Sequence, residues 1–388
     1  MKIIDVRELS VPLLSNISNA VVDFSEHDVS LVAVISDVIK NGKPVVGYAF
    51  NSIGRFSQSG IIQKRMIPRL LSASIESILS DCGNYFDAEK VLTCIMRNEK
   101  PGGHGDRAGA AAAIELAIWD LNAKLADEPT YMTIAKSLGI GVYTKLIDVY
   151  AAGGYYYRSG STNTLADELK RYQDMGFLAF KIKIGGASLM EDMLRIEAAI
   201  KVAGHGKLVA VDVNGRFDLA MAKQYIAAMN SYDLRWIEEI GNPLDYELNC
   251  RAIEICSSSV ATGENLFSYS DTQNLIRYGG MRPEKDIFQM DAGISYGMTE
   301  YFKIIQLLES NSFGRKQVYP HGGHLINLHI AFGMGLGGCE AYPGVFKPFG
   351  GYSPKCTIVE GKVAPSAAPG FGLEEKPELY EVMKKIMC

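Results

Sequence analysis

The chain has 388 residues, 47% of them hydrophobic, a formal charge of −5 and an isoelectric point near 5.8. That length can bury a large core in about two domains, and the acidic balance argues against nucleic acid, whose phosphates want a basic face. Seven cysteines without CxxC spacing, a start (MKIIDVRELS) lacking an apolar signal region, and no apolar run near the roughly 20 residues of a bilayer span predict a reduced, soluble, cytoplasmic protein with no membrane association.

The first elements are β-type runs, KIIDVRELSVPL, VSLVAVISDVI and PVVGYAF, the last two joined by NGK, a hairpin turn. The loop EKPGGHGDR then sets Lys100 and His104 between glycines, where two cations can close over an anionic substrate; a solvated loop without a role is the plain alternative. From Asp106, apolar residues Ile114, Ala117, Ile118, Leu121 and Leu125 recur at helical spacing, with Glu115, Asp120, Asn122 and Lys124 on a polar face. This predicts a packed amphipathic helix with no chemistry of its own. The first unit is set at residues 1–130.

From about Ile147 short Val, Ile and Ala runs alternate with helical stretches such as TLADELKRYQDMG, LMEDMLRIEAAIKVAG and LAMAKQYIAAMNS. Strands buried on both faces and joined through helices read this way, and about eight runs up to Glu340 favour a closed barrel over an open sheet. The α/β barrel unit is set at 131–345. A Gly- and Pro-rich tail, 346–388, ends in a helical run expected to return to the first unit.

Lys183, Asp212, Glu238, Glu264, Asp291, His321 and Glu340 fall at or beside the ends of successive runs, roughly 19 to 30 residues apart, about one strand plus one helix. A barrel projects such residues into one bowl. Asp212, Glu238 and Glu264 there repel one another unless a cation sits among them, and oxygen-only ligands select a hard ion, most simply Mg2+. Strand alternation is expected to turn the adjacent Glu239 away. Lys181 and Lys183 share a strand face, so with a divalent cation nearby each is expected to lower the other's pKa, which suits a base. His321 is held at one ring nitrogen by Asp291 so that the other faces substrate, and Glu340 either donates a hydrogen bond or braces the histidine. Tyr155, Tyr156 and Tyr157, after the first barrel strand, are within reach of the pocket, and Asn214 of VDVN joins the substrate-contact candidates. His27, His205, His324 and His329 read as structural.

The sequence of KIK, VDVN, WIEE, TGEN, an Asp strand and a PH strand end resembles the mandelate racemase/muconate lactonizing group of the enolase superfamily, across nearly the whole chain. The departure is IEEIGNP, where many members have proline directly after the acids. The resemblance implies a modified TIM barrel of (β/α)7β type under an α+β capping domain made of the N-terminal segment and C-terminal tail. It further implies Mg2+ on Asp212, Glu238 and Glu264, Lys183 as base with Lys181 as electrostatic partner, His321 with Asp291 as acid, Lys100 as a substrate contact, and a homo-oligomer. The expected reaction is dehydration of a small 2-hydroxy diacid such as tartrate, to oxaloacetate plus water. The rivals are dehydration of a longer acid sugar, racemisation or epimerisation between Lys183 and His321, a Schiff-base aldolase, and a metal-bearing binding protein.

Overall fold

The computed structural model describes residues 1–141, 146–156 and 164–388. Three strands, β1 (Ile3–Pro12), β2 (Asp28–Lys40) and β3 (Lys43–Phe50), pair antiparallel in that order. Asn41 and Gly42 take φ of 52° and 75°, the left-handed pair that a tight hairpin demands, so the NGK turn sets Lys40 opposite Lys43.

The helix Asp106–Leu125 packs across β2 and β3. Gly47 permits the approach, because a Cβ there would fall 2.1 Å from the Ala117 carbonyl oxygen. The expected polar face of this helix is corrected by the structure: Glu115 and Asp120 are fully buried. Glu115 accepts hydrogen bonds from Met298 N (2.8 Å), Thr299 N (3.0 Å), Thr299 Oγ1 (2.8 Å) and Trp119 Nε1 (3.1 Å). It thereby caps the helix Met298–Ser310, whose first N–H groups have no partner within their own helix. Asp120 accepts from Tyr48 N (2.8 Å) and Phe371 N (2.7 Å) and pairs with Lys124 at 2.6 Å. One helix thus joins the three-stranded sheet, the tail and a barrel helix.

In the barrel, β4 (Ile147–Gly153), β5 (Ala179–Lys183), β6 (Val209–Asp212), β7 (Ile237–Glu238), β8 (Val260–Thr262) and β9 (Ile287–Phe288) pair in parallel, each with the next. The seventh position is a single parallel bridge, Phe288 to Val318, continued by Gly337 N donating to Val318 O at 3.0 Å. The eighth strand, β10 (Gly338–Ala341), closes the ring against β4. A helix follows each of the first seven positions and none follows the eighth before the tail, which is the (β/α)7β pattern with a capping sheet.

The tail does more than return to the first unit. β11 (Lys362–Val363) first pairs antiparallel with β4, and the helix Pro377–Met387 then reaches β1, where Arg7 Nη1 donates to Met387 O at 2.8 Å. No helix among the described residues is long and apolar enough to cross a membrane. Replacing Glu115 with Ala strands four buried donors, so urea unfolding should show a loss of about 2–4 kcal/mol; a loss below about 0.5 kcal/mol would remove Glu115 as the cap of Met298–Ser310.

Candidate active site

The register of the barrel strands assembles the site. Lys183 lies opposite Asp212, and Asp212 opposite Glu238, so three adjacent strands end at one level. Glu264 follows β8 by two residues, Gln289 and Asp291 follow β9, His321 follows the bridge at Val318, and Glu340 lies in β10. Ring order therefore sets Lys183 on one flank of the carboxylates and the Asp291 and His321 pair on the other.

Oxygen atoms of Asp212, Glu238 and Glu264 lie within 4.8 Å of one another. Glu264 Oε2 is buried and accepts no hydrogen bond. An oxygen-only set with an orphaned carboxylate oxygen fits Mg2+. Around it Lys183 Nζ is 2.5 Å from Asp212 Oδ2. Lys181 Nζ bonds Glu238 Oε1, is 2.6 Å from Glu340 Oε1 and 3.6 Å from Asp212 Oδ2. Glu238 Oε2 accepts from Trp236 Nε1 (2.9 Å) and Gln289 Nε2 (2.7 Å).

His321 Nδ1 is 3.4 Å from Asp291 Oδ2, while Nε2 is 3.7 Å from Glu264 Oε2 and 3.0 Å from the Tyr342 hydroxyl. Burial alone would lower its pKa, but Glu264 and Asp291 outweigh burial and raise it to about 9, so the ring carries a proton at neutral pH. His324, nearby, is the opposite case. Its Nδ1 accepts from Asn327 N (3.4 Å), its Nε2 bonds Ser52 Oγ (3.0 Å), and burial holds it neutral with a pKa of about 4. Ser52, its partner, also helps to lower the pKa of Asp291.

In the metal-free site burial pushes the pKa values of Lys181 and Lys183 down, but Glu238 and Glu340 at Lys181, and Asp212 at Lys183, outweigh it and hold both as ammonium groups. Two expectations are corrected. Glu340 is no proton donor, since Lys181 and His321 overcome burial and keep it ionised; it accepts from Gly322 N at 2.9 Å, next to His321. Glu239 does not turn away. β7 ends at Glu238, Glu239 takes a left-handed φ of 42°, and its carboxylate lines the cavity with burial, Glu264 and Asp212 raising its pKa.

The cavity has a volume of about 190 Å³ and is walled on the barrel side by Lys183, Asn214, Glu264, Asn265 and His321, with Tyr155 and Tyr342. Tyr155 and Asn214 are thus where the sequence put them; Tyr156 bonds Asp192 instead (3.0 Å), and Tyr157 lies outside the described residues. Lys100 and His104 are not among the lining residues. Arg107 Nη1 holds the Lys100 carbonyl at 2.8 Å and leaves its side chain exposed, and His104 Nδ1 bonds the Tyr296 hydroxyl at 3.0 Å. The cap's wall is made instead by Asn19, Val21, Val22, Phe24, Ile53 and Arg55. Sequence reasoning passed over Tyr342, although it lies two residues after Glu340 and so repeats the strand period; for Arg55 no period pointed to the barrel.

A family model described as Enolase C-terminal domain-like matches residues 164–379. The chain is 27% identical over 348 residues, 86% of each chain, to a 3,6-anhydro-alpha-L-galactonate cycloisomerase from Streptomyces coelicolor. It is 25% identical over 323 residues, 83% of this chain and 76% of the other, to an L-talarate/galactarate dehydratase from Salmonella typhimurium. The crystal structure of a racemase from Streptomyces coelicolor with bound magnesium superposes with a TM-score of 0.76 at 23% identity, covering 98% of both chains.

In the metal-free protein, NMR titration should find one buried imidazole changing charge near pH 9, His321, and another uncharged until about pH 4, His324. His324 is depressed in the folded state and ordinary when unfolded, so it adds stability above pH 6.5 that is lost as pH falls through 4. Between those values the slope of stability against pH should flatten in His324→Gln; an unchanged slope would refute the neutral assignment.

Proposed function

The chain belongs to the Enolase C-terminal domain-like family of the enolase superfamily, and on that premise we propose that it is a Mg2+-dependent dehydratase of a small 2-hydroxy diacid. The reaction proposed is D-tartrate to oxaloacetate plus water. The observation that carries the reading is the meeting of Lys183 and His321, on opposite flanks of the carboxylate triad, in one cavity of about 190 Å³. That volume is small beside the roughly 300 Å³ or more of sites for larger organic ligands. The runs RNEKPGGHGDR, WIEEIGNPLDYE, TGENLFS, RPEKDIFQMDAGISYG and VYPHGGHLINLH also resemble D-tartrate dehydratase.

Asp212, Glu238 and Glu264 would hold Mg2+, which when bound would draw on the Asp212 charge that keeps Lys183 protonated and offer positive charge to the carboxylate of an acid losing its α-proton. Lys183 Nζ takes the α-proton. Lys181, fixed by Glu238 and Glu340, adds a second positive charge beside it. The imidazolium of His321, oriented by Asp291, gives its Nε2 proton to the departing β-hydroxyl, and the C–O bond breaks to release water. The resulting enol tautomerises to the 2-keto acid. The Tyr342 hydroxyl lies 3.0 Å from the same Nε2.

A second reading, racemisation or epimerisation, has the same two flanking groups in its favour, because either can hold the α-proton on its own face. Dehydration of a longer acid sugar is the other alternative. The reading extends to a cytoplasmic homo-oligomer, and light scattering that returns a single-chain mass would discard the oligomer.

D-, L- and meso-tartrate should be assayed separately for oxaloacetate with Mg2+ and with EDTA. Turnover of the D isomer, lost with chelator, is the expected outcome; conversion of one isomer into another without 2-keto acid would instead establish the racemase. Lys183→Ala should abolish exchange of the α-proton with solvent deuterium, whereas His321→Asn should keep exchange and lose dehydration by roughly 10²- to 10⁴-fold. Persistent exchange in Lys183→Ala would remove the base assignment.

A further inference from the structure

Three cationic side chains line the cavity, Lys183, His321 and Arg55. Lys183 is paired with Asp212, and His321 with Asp291 and Glu264. Arg55 differs. Its Nη2 donates to Asn265 Oδ1, and its guanidinium carbon sits 4.8 Å from the centroid of the Phe267 ring, while no carboxylate among the described residues pairs with it. A guanidinium has five N–H donors in a planar fork, and one is committed here. Asn265, its partner, donates through Nδ2 to both Glu239 oxygens (2.8 and 3.0 Å) and lies 3.4 Å from Glu264 Oε1. The fork therefore stands one side-chain amide away from a carboxylate of the cation triad.

We propose that Arg55 binds the carboxylate of the substrate remote from the reacting carbon, so that this site takes dicarboxylic rather than monocarboxylic 2-hydroxy acids. The proposal deepens the dehydratase reading and rests on it for the reaction, though not for binding. Aromatic stacking and the Asn265 bond fix the guanidinium before any ligand arrives, which reduces the ordering cost of a two-point ion pair. Apolar neighbours from the cap, Val21, Val22 and Phe24, line the same cavity and lower the local dielectric in which that pair would form. A monocarboxylic acid of equal length puts a hydroxyl in that place and leaves the fork without its counter-charge. The contact with an anionic substrate expected of Lys100 and His104 thus falls, in this proposal, to a residue of the loop after β3.

The test is calorimetric titration of the full chain with Mg2+ in a Lys183→Ala background, which stops turnover. The probes are the three tartrate isomers and the four-carbon monoacids threonate and erythronate. At least one tartrate should bind roughly ten-fold or more tighter than either monoacid. Arg55→Gln should cost that tartrate roughly 10- to 100-fold and leave monoacid affinity within about two-fold, with Arg55→Lys recovering part of the loss. Equal affinity for diacid and monoacid, an unchanged diacid affinity in Arg55→Gln, an equal loss for both ligand classes, or no binding of any acid would each overturn it. Should Arg55→Gln fail to fold, Arg55→Lys decides: it keeps the charge without the fork, so an undiminished diacid preference overturns the proposal and a reduced one supports it. If the binding pattern holds while the unmodified protein forms no 2-keto acid from any tartrate, the dehydratase reading falls and the role of Arg55 stands.

Discussion

The structure depends on an excess of buried negative charge. Asp212, Glu238, Glu239, Glu264, Asp291 and Glu340 are gathered at one end of the barrel, against Lys181, Lys183 and His321. Like charges held this close in low dielectric raise one another's pKa, as at Glu238, which burial pushes up to about 8 despite Lys181. At Asp212, by contrast, Lys183 and Lys181 outweigh burial and carry the carboxyl down to about 2. A divalent cation among Asp212, Glu238 and Glu264 offsets most of the remaining excess, and this is why the oxygen-only triad and the lysine pair belong to one device. In the metal-free site the same imbalance keeps His321 protonated.

The barrel supplies that device by register. Adjacent parallel strands place Lys183, Asp212 and Glu238 side by side, while Gln289 and Asp291 repeat the strand period along the chain beyond β9. The loops beyond the strand ends are held by the site's own acids, Asp291 accepting from Gly293 N at 2.8 Å and Glu340 from Gly322 N at 2.9 Å. The residues that carry the proposed chemistry therefore sit on a scaffold that their own charges help to fasten. Preorganisation of this kind lets fixed charges act on a substrate without reorganising around it.

The cap and barrel are joined by the helix Asp106–Leu125, whose buried acids are spent on backbone N–H groups of three different regions. The anchoring of residues 13–27 and 51–58 on the barrel, with Ser18 N donating to Tyr156 O at 3.3 Å and Ser52 N to Gly293 O at 3.4 Å, brings their side chains to the cavity. It explains why a glycine-rich loop with two cations, 99–107, lies outside the lining residues while Arg55 lies among them.

Alternating short apolar runs and helical stretches at a regular interval, ending in Lys, Asp, Glu or His, were enough in the sequence to specify a closed barrel and its convergent residues, because strand-end position is a local property repeated seven times. The NGK hairpin and the helix over 106–125 were legible for the same reason: they depend on neighbours in sequence. Charge states, the facing of Glu239 and the identity of the cap's cation were decided only by the tertiary structure. Net pKa shifts arise from partners tens to hundreds of residues away, such as Glu340 at Lys181, and one left-handed residue after β7 cancels the alternation that the sequence predicts. Arg55 meets Asn265 across 210 positions, a contact that exists only once cap and barrel have packed.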